Sequence, residues 1–76
     1  MKEKLWLERL KKYYKDYKCN YGVCSWWLRL EYYDEQVTTS QINYYLNKSV
    51  LKGILKIEKN KSYTKFYLLS DERKDI

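Results

Sequence analysis

The 76-residue sequence contains no histidine, no proline, two glycines and two cysteines. Without histidine the chain lacks the side chain most used for proton transfer near neutral pH, which is also the commonest metal ligand. Cys19 and Cys24 alone cannot complete the tetrahedral donor set of a structural zinc site. Neither a metal nor another cofactor is expected. Their spacing allows a short-loop disulfide, but the expected state is Cys24 as a small buried hydrophobe and Cys19 as a free thiol. The absence of proline excludes Pro-rich recognition segments and collagen-like structure. No run approaches the ~18 consecutive apolar residues of a membrane span. Charges interrupt the Met1 to Arg9 stretch where a secretion signal would need an apolar core. No membrane association and an intracellular, cytoplasmic location are therefore expected. There is no Gly-rich phosphate loop and no acid pair with a reason to be buried, so catalysis is not expected either.

What is present is charge and aromatic surface. Hydrophobic residues make up 45% of the chain, which places it among globular sequences and not disordered tails. Sixteen Lys and Arg face ten acids, for a formal charge of +6, a balance that suits a polyanionic partner. Ten Tyr, three Trp and one Phe exceed what so small a core can bury. The surplus rings are expected at an interface, where a ring supplies area at low entropic cost.

The length allows one domain, spanning 1–76. Trp6, Leu7, Leu10, Tyr13, Tyr14 and Tyr17 recur at helical spacing and predict a helix over 2–18. Val23, Trp26, Trp27, Leu30 and Tyr33 fit the inward face of a second helix over 23–34, capped by Asn20 or Ser25. The third helix, 39–52, carries the sharpest local signal. Thr38 as N-cap places Gln41 at N3 in a capping box, and Val37 and Ile42 then form the hydrophobic staple. Ile42, Tyr45, Leu46, Ser49, Val50 and Gly53 form its inward side, with Gly53 ending the helix. Alternation in Leu55-Lys56-Ile57-Glu58, a polar Asn60-Lys61-Ser62 turn and a Tyr/Thr/Phe-rich run predict a β-hairpin over 54–70. The charged tail over 71–76 is expected to fray. The fold class is α+β.

Thr39-Ser40-Gln41-Ile42, Leu46, the run Val50-Leu51-Lys52-Gly53-Ile54-Leu55, and a turn leading into residues 63–70 resemble the winged helix–turn–helix superfamily. The pattern is most similar to the PadR and MarR groups and covers roughly residues 20 to 72. The resemblance implies three helices followed by a β-hairpin wing, with the third helix reading duplex DNA. The sequence departs from those groups in its aromatic second helix, in the acids Asp34 and Glu35 near the turn, and in having no long C-terminal dimerisation helix.

Charge follows the same division. Residues 38–70 hold six Lys against Glu58, whereas residues 19–37 hold Arg29 against Glu31, Asp34 and Glu35. Thr39, Ser40, Gln41, Asn43, Tyr44, Asn47 and Lys48 are the expected DNA-facing set. Asn and Gln can pair with adenine, Lys can pair with guanine, and the helix start can hold a phosphate. Lys59, Lys61 and Lys65 are expected to contact the backbone phosphates or the minor groove from the wing. Leu51 points outward on the same helix. The expected function is a small DNA-binding transcriptional regulator. A homodimer is expected through Trp6, Leu10, Tyr13, Tyr14 and Tyr17 of the first helix. The alternative is a winged-helix protein-interaction module or inhibitor of viral or mobile-element origin, favoured by the surplus rings, the acidic turn and Leu51.

Overall fold

The computed structural model describes residues 2–19 and 21–69. The cap expected at Asn20, the hairpin's end at Ser70 and the tail over 71–76 lie outside them. The first helix, α1 (Lys2–Asp16), buries Trp6, Leu10, Tyr13 and Tyr14 along one stripe, as their 3- and 4-residue spacing dictates. It ends two residues short of the expected 18. The backbone there closes a Schellman motif: Cys19 N–H donates to the Tyr14 carbonyl at 3.0 Å and Lys18 N–H to the Lys15 carbonyl at 3.4 Å. Lys18 occupies the left-handed position, at φ 47°, where glycine or asparagine is usual.

The next element corrects the expected second helix. Val23–Cys24 form a short strand, β1, and the helix α2 (Ser25–Glu31) begins only afterwards, with Cys24 as N-cap. Ser25 does not serve as the cap; its hydroxyl instead donates to the Asn43 side chain. Both cysteines are free, as expected of Cys19, but Cys24, expected to be buried, is half-buried, and Cys19 is the buried one. Cys19 Sγ donates to the Tyr21 carbonyl at 3.2 Å.

Helix α3 (Thr39–Leu51) starts where its local signals put it. Thr38 Oγ1 accepts from Gln41 N–H at 3.2 Å, and Gln41 Oε1 accepts from Thr38 N–H at 2.8 Å. Val37 and Ile42 are both buried. At its end, Gly53 adopts φ 79°. Its N–H donates to the Val50 carbonyl, and Ile54 N–H donates to the Ser49 carbonyl, both at 3.0 Å, a second Schellman closure. The hairpin comprises β2 (Leu55–Lys59) and β3 (Thr64–Leu68). The Asn60 side chain holds its tip by accepting from Ser62 and Tyr63 N–H groups at 2.8 and 2.9 Å.

The three strands form an antiparallel sheet in the order β1-β3-β2. Val23 pairs with Phe66, and Ile57 pairs with Phe66 from the other side. Phe66, Leu68, Leu55 and Val23 turn towards the helices and close one core with Trp6, Leu10, Tyr14, Leu28, Ile42 and Leu46. Side chains alternate along a strand, so Lys56, Glu58, Lys65 and Tyr67 lie on the outer face. Gly22 lies beneath that face. A Cβ there would stand 2.7 Å from both Lys65 Cβ and Tyr67 Cζ.

Two substitutions check this account by urea denaturation. Gly22→Ala has no space for its methyl and is expected to cost about 1–3 kcal/mol. Lys18→Gly relieves a left-handed lysine and is expected to add on the order of 1 kcal/mol.

Candidate nucleic-acid interface

Helix α3 and the hairpin enclose two clefts that meet at Asn43. The first, of about 290 Å³, is lined by Ser25, Trp26, Thr39 and Asn43 from the helices, and by Asn60, Lys61, Ser62, Tyr63 and Thr64 around the hairpin tip. The second, of about 330 Å³, is lined by Asn43, Tyr44, Asn47, Ile57, Lys59, Thr64 and Phe66. Neither lining contains a carboxylate. Amides, hydroxyls and two lysines supply the polar groups.

The clefts exist because α3 is pinned at both ends. Its capping box fixes the start, the left-handed Gly53 turns the chain directly into β2, and the Ser25 hydroxyl holds the Asn43 amide oxygen. Thr39, Asn43 and Lys61 of the expected set thus share the first cleft. Asn43, Tyr44, Asn47 and Lys59 share the second. Gln41 is exposed, but its side-chain oxygen is committed to the cap, which leaves its amide nitrogen as the outward group. Ser40 is exposed beside it.

Two of the expected contacts lie elsewhere. Lys48 points to the α1 side, where it lines a hollow with Lys2, Glu3, Tyr44 and Tyr45. Its ammonium stands 4.9 Å from the Tyr44 ring centroid. A hydrogen bond with Tyr44 raises its pKa above the ordinary lysine value. Lys65 is on the outer face of the sheet, its ammonium 4.5 Å from the Tyr63 ring centroid, and it does not line either cleft. Strand parity decides this: Phe66 must face the core, so Lys65 must face away. Lys52 is drawn to α1 by Glu3 at 2.7 Å. Nothing covers Leu51, which is 80% exposed.

The expected dimer surface on α1 is corrected. Trp6, Leu10, Tyr13 and Tyr14 are buried in this chain's own core, so they offer no surface to a second copy. Tyr17 is exposed, and its hydroxyl donates to Glu31 of α2. The inward face assigned to the second helix is corrected as well. Trp26, Trp27, Leu30 and Tyr33 are all exposed, whereas Ser25 and Leu28 are buried. Ser25, Trp26, Asn60, Ser62, Tyr63 and Thr64 complete the first cleft, and sequence reasoning missed them. Thr64 was reachable in principle, because it pairs with Lys59 across the hairpin.

Chemically, the two clefts offer neutral donors and acceptors under a cationic hairpin tip. Among the described residues, no cluster of His, Cys, Asp or Glu could hold a metal ion, and no helix is long and apolar enough to cross a membrane. The chain matches no family model, no curated protein and no solved structure.

The phenols of Tyr17 and Tyr21 carry the largest pKa shifts. Tyr17 is pushed up to about 12, first by its hydrogen bond to Glu31 and then by partial burial and the Glu31 charge. Tyr21 is also pushed up to about 12, first by a hydrogen bond with Tyr13 and then by the neighbouring Cys19. Trp27 Nε1 donates to the same Tyr13 hydroxyl at 2.6 Å. Both phenols are raised above the ordinary value of about 10. Their contribution to stability is therefore complete below pH ~10 and is lost as pH rises towards ~12. Titration followed at 295 nm should show fewer ionised tyrosines in the native chain than in the urea-unfolded chain near pH ~11. Glu31→Gln should return Tyr17 towards the ordinary range.

Proposed function

We propose that this chain is a winged-helix domain that binds duplex DNA, with α3 as the recognition helix and the β2–β3 hairpin as the wing. The observation that carries the proposal is the carboxylate-free lining shared by α3 and the hairpin, with Asn43 and Asn47 on one wall and Lys59 and Lys61 on the other. The order of three helices with a β1-β3-β2 sheet is compatible with that layout. Asn43 and Asn47 lie one helical turn apart in one cleft; exposed Asn47 can address a base edge, and Asn43, its oxygen held by Ser25, can add its amide nitrogen. Lys59 and Lys61 supply charge to the flanking phosphates, which fixes position but not sequence. Transcriptional regulation by occupying an operator is the role this binding would serve.

A second reading, a protein-interaction module, is favoured by a separate observation: Trp26, Trp27, Leu30 and Tyr33 form an exposed strip along α2. The strip lies outside the α3–hairpin clefts except at Trp26.

Binding to a random duplex, measured by fluorescence anisotropy at several salt concentrations, tests the proposal. Affinity should fall with salt at a log–log slope of about −0.9 per phosphate neutralised. Lys59→Ala and Lys61→Ala should each weaken binding and make that slope shallower by about one unit. Lys65→Ala, on the far face of the sheet, should leave the slope unchanged. A salt-independent affinity, or an equal effect of Lys65→Ala, would remove the proposal.

A further inference from the structure

The first cleft carries a feature that groove reading of a duplex does not use. Trp26, 52% exposed, lines it together with Lys61 of the hairpin tip. The ring is braced. It stands at 90° to the Trp27 ring, with centroids 5.6 Å apart, and the Trp27 indole donates to the Tyr13 hydroxyl at 2.6 Å. A perpendicular neighbour steadies a ring and covers at most one of its faces.

The hydrogen-bonding groups of the cleft are biased towards donors. Asn60 Oδ1 accepts from the Ser62 and Tyr63 N–H groups at 2.8 and 2.9 Å. Asn43 Oδ1 accepts from the buried Ser25 hydroxyl. Both amides have thus committed their acceptor and keep an NH2 group, which only donates. The Thr39 and Thr64 hydroxyls serve either way, exposed Lys61 adds a positive charge, and no carboxylate lines the cleft.

We infer that the first cleft takes a single unpaired base of a DNA strand, stacked on Trp26, with its carbonyl edge towards the Asn43 and Asn60 amide nitrogens and its phosphate at Lys61. The inference rests on the nucleic-acid reading of α3 and the hairpin and deepens it: the ligand is a junction of duplex and single strand. A base inside a duplex has both faces covered by its neighbours and must leave the stack to meet a protein ring, whereas an overhanging base has already done so. Size agrees. At about 290 Å³ the cleft stands at the small end of the roughly 300–1,000 Å³ of small-ligand sites, which suits one base and not a base pair. A neutral sugar would use the ring and the amides but not the ammonium. Continuity favours a strand as well, because the two clefts meet at Asn43 and the second runs on past Asn47 and Lys59. The paired part of the junction lies along that second cleft.

Fluorescence anisotropy on the full chain tests this with three labelled probes: a blunt duplex, the same duplex with a short thymidine overhang, and the same duplex with an abasic overhang of equal length. Overhangs of both polarities are used, and circular dichroism confirms that each variant is folded. In one polarity the thymidine overhang should bind at least about fivefold tighter than the abasic one, which carries the same phosphates. Trp26→Ala should bring that ratio close to one, and Trp26→Phe, which keeps a ring, should retain most of it. Tryptophan emission should be quenched by the thymidine overhang and not by the abasic one, and Trp26→Phe should remove the quenching. Equal affinity for the two overhangs in both polarities overturns the inference, as does a preference that survives Trp26→Ala. The blunt duplex, judged by its own salt dependence, reports separately on duplex binding. Salt-dependent binding to all three probes alike defeats only the base pocket, whereas binding to none defeats the nucleic-acid reading with it.

Discussion

The buried hydroxyl of Tyr14 joins the parts on which the rest of the fold depends. Its ring sits in the core at 2% exposure. Its oxygen lies 2.9 Å from the Phe66 carbonyl and 2.7 Å from the Tyr21 carbonyl. One side chain of α1 thereby contacts the central strand and the segment that feeds β1. A buried hydroxyl without partners would be costly, so the ring fits only where those carbonyls converge. The same tyrosine's backbone carbonyl closes the end of α1 by accepting from Cys19 N–H. Helix end, connecting turn and sheet are specified together.

That junction explains how fourteen rings are shared out. Trp6, Tyr13, Tyr14 and Phe66 are buried and account for much of the core volume. Tyr32, Tyr45, Tyr63 and Tyr67 are half-buried. Six others remain at the surface, among them Tyr17, which bonds to Glu31, and Trp27, which bonds to Tyr13. Amphipathic rings of this kind can seal the edge of a small core while keeping a polar atom satisfied. Trp26, Leu30 and Tyr33 do not seal the core and stay exposed on and just after α2.

The clefts depend on a different device. The αL turn at Gly53 sends the chain from α3 straight into β2, so the hairpin returns alongside the helix it has just left. The capping box at Thr38 sets the rotational start of α3 and thus which residues face the hairpin. Asn43, Tyr44 and Asn47 on α3 meet Lys59 and Thr64 on the strands for that reason. The outer face of the sheet is arranged independently. Tyr67 donates to Glu58 at 2.6 Å, and its ring lies over Gly22.

Local sequence determined α3, its N-cap and its glycine terminus, because each relies on side chains only a few residues apart. It also determined the apolar stripe of α1, the hairpin and the need to leave aromatic rings exposed. It could not determine the phase of α2. Apolar residues occupy several sides of that short helix, and counting from Val23 turned Trp26, Trp27 and Leu30 inward. Pairing of Val23 with Phe66 pulls residue 23 into the sheet, starts the helix at Ser25 and turns Leu28 to the core instead. The placement of Lys65 was tertiary for a related reason: a two-residue period names two faces, but only burial of Phe66 and Leu68 decides which one meets the helices. Short-range hydrogen bonding can be read along the chain, whereas the choice between faces requires the partner element that covers one of them.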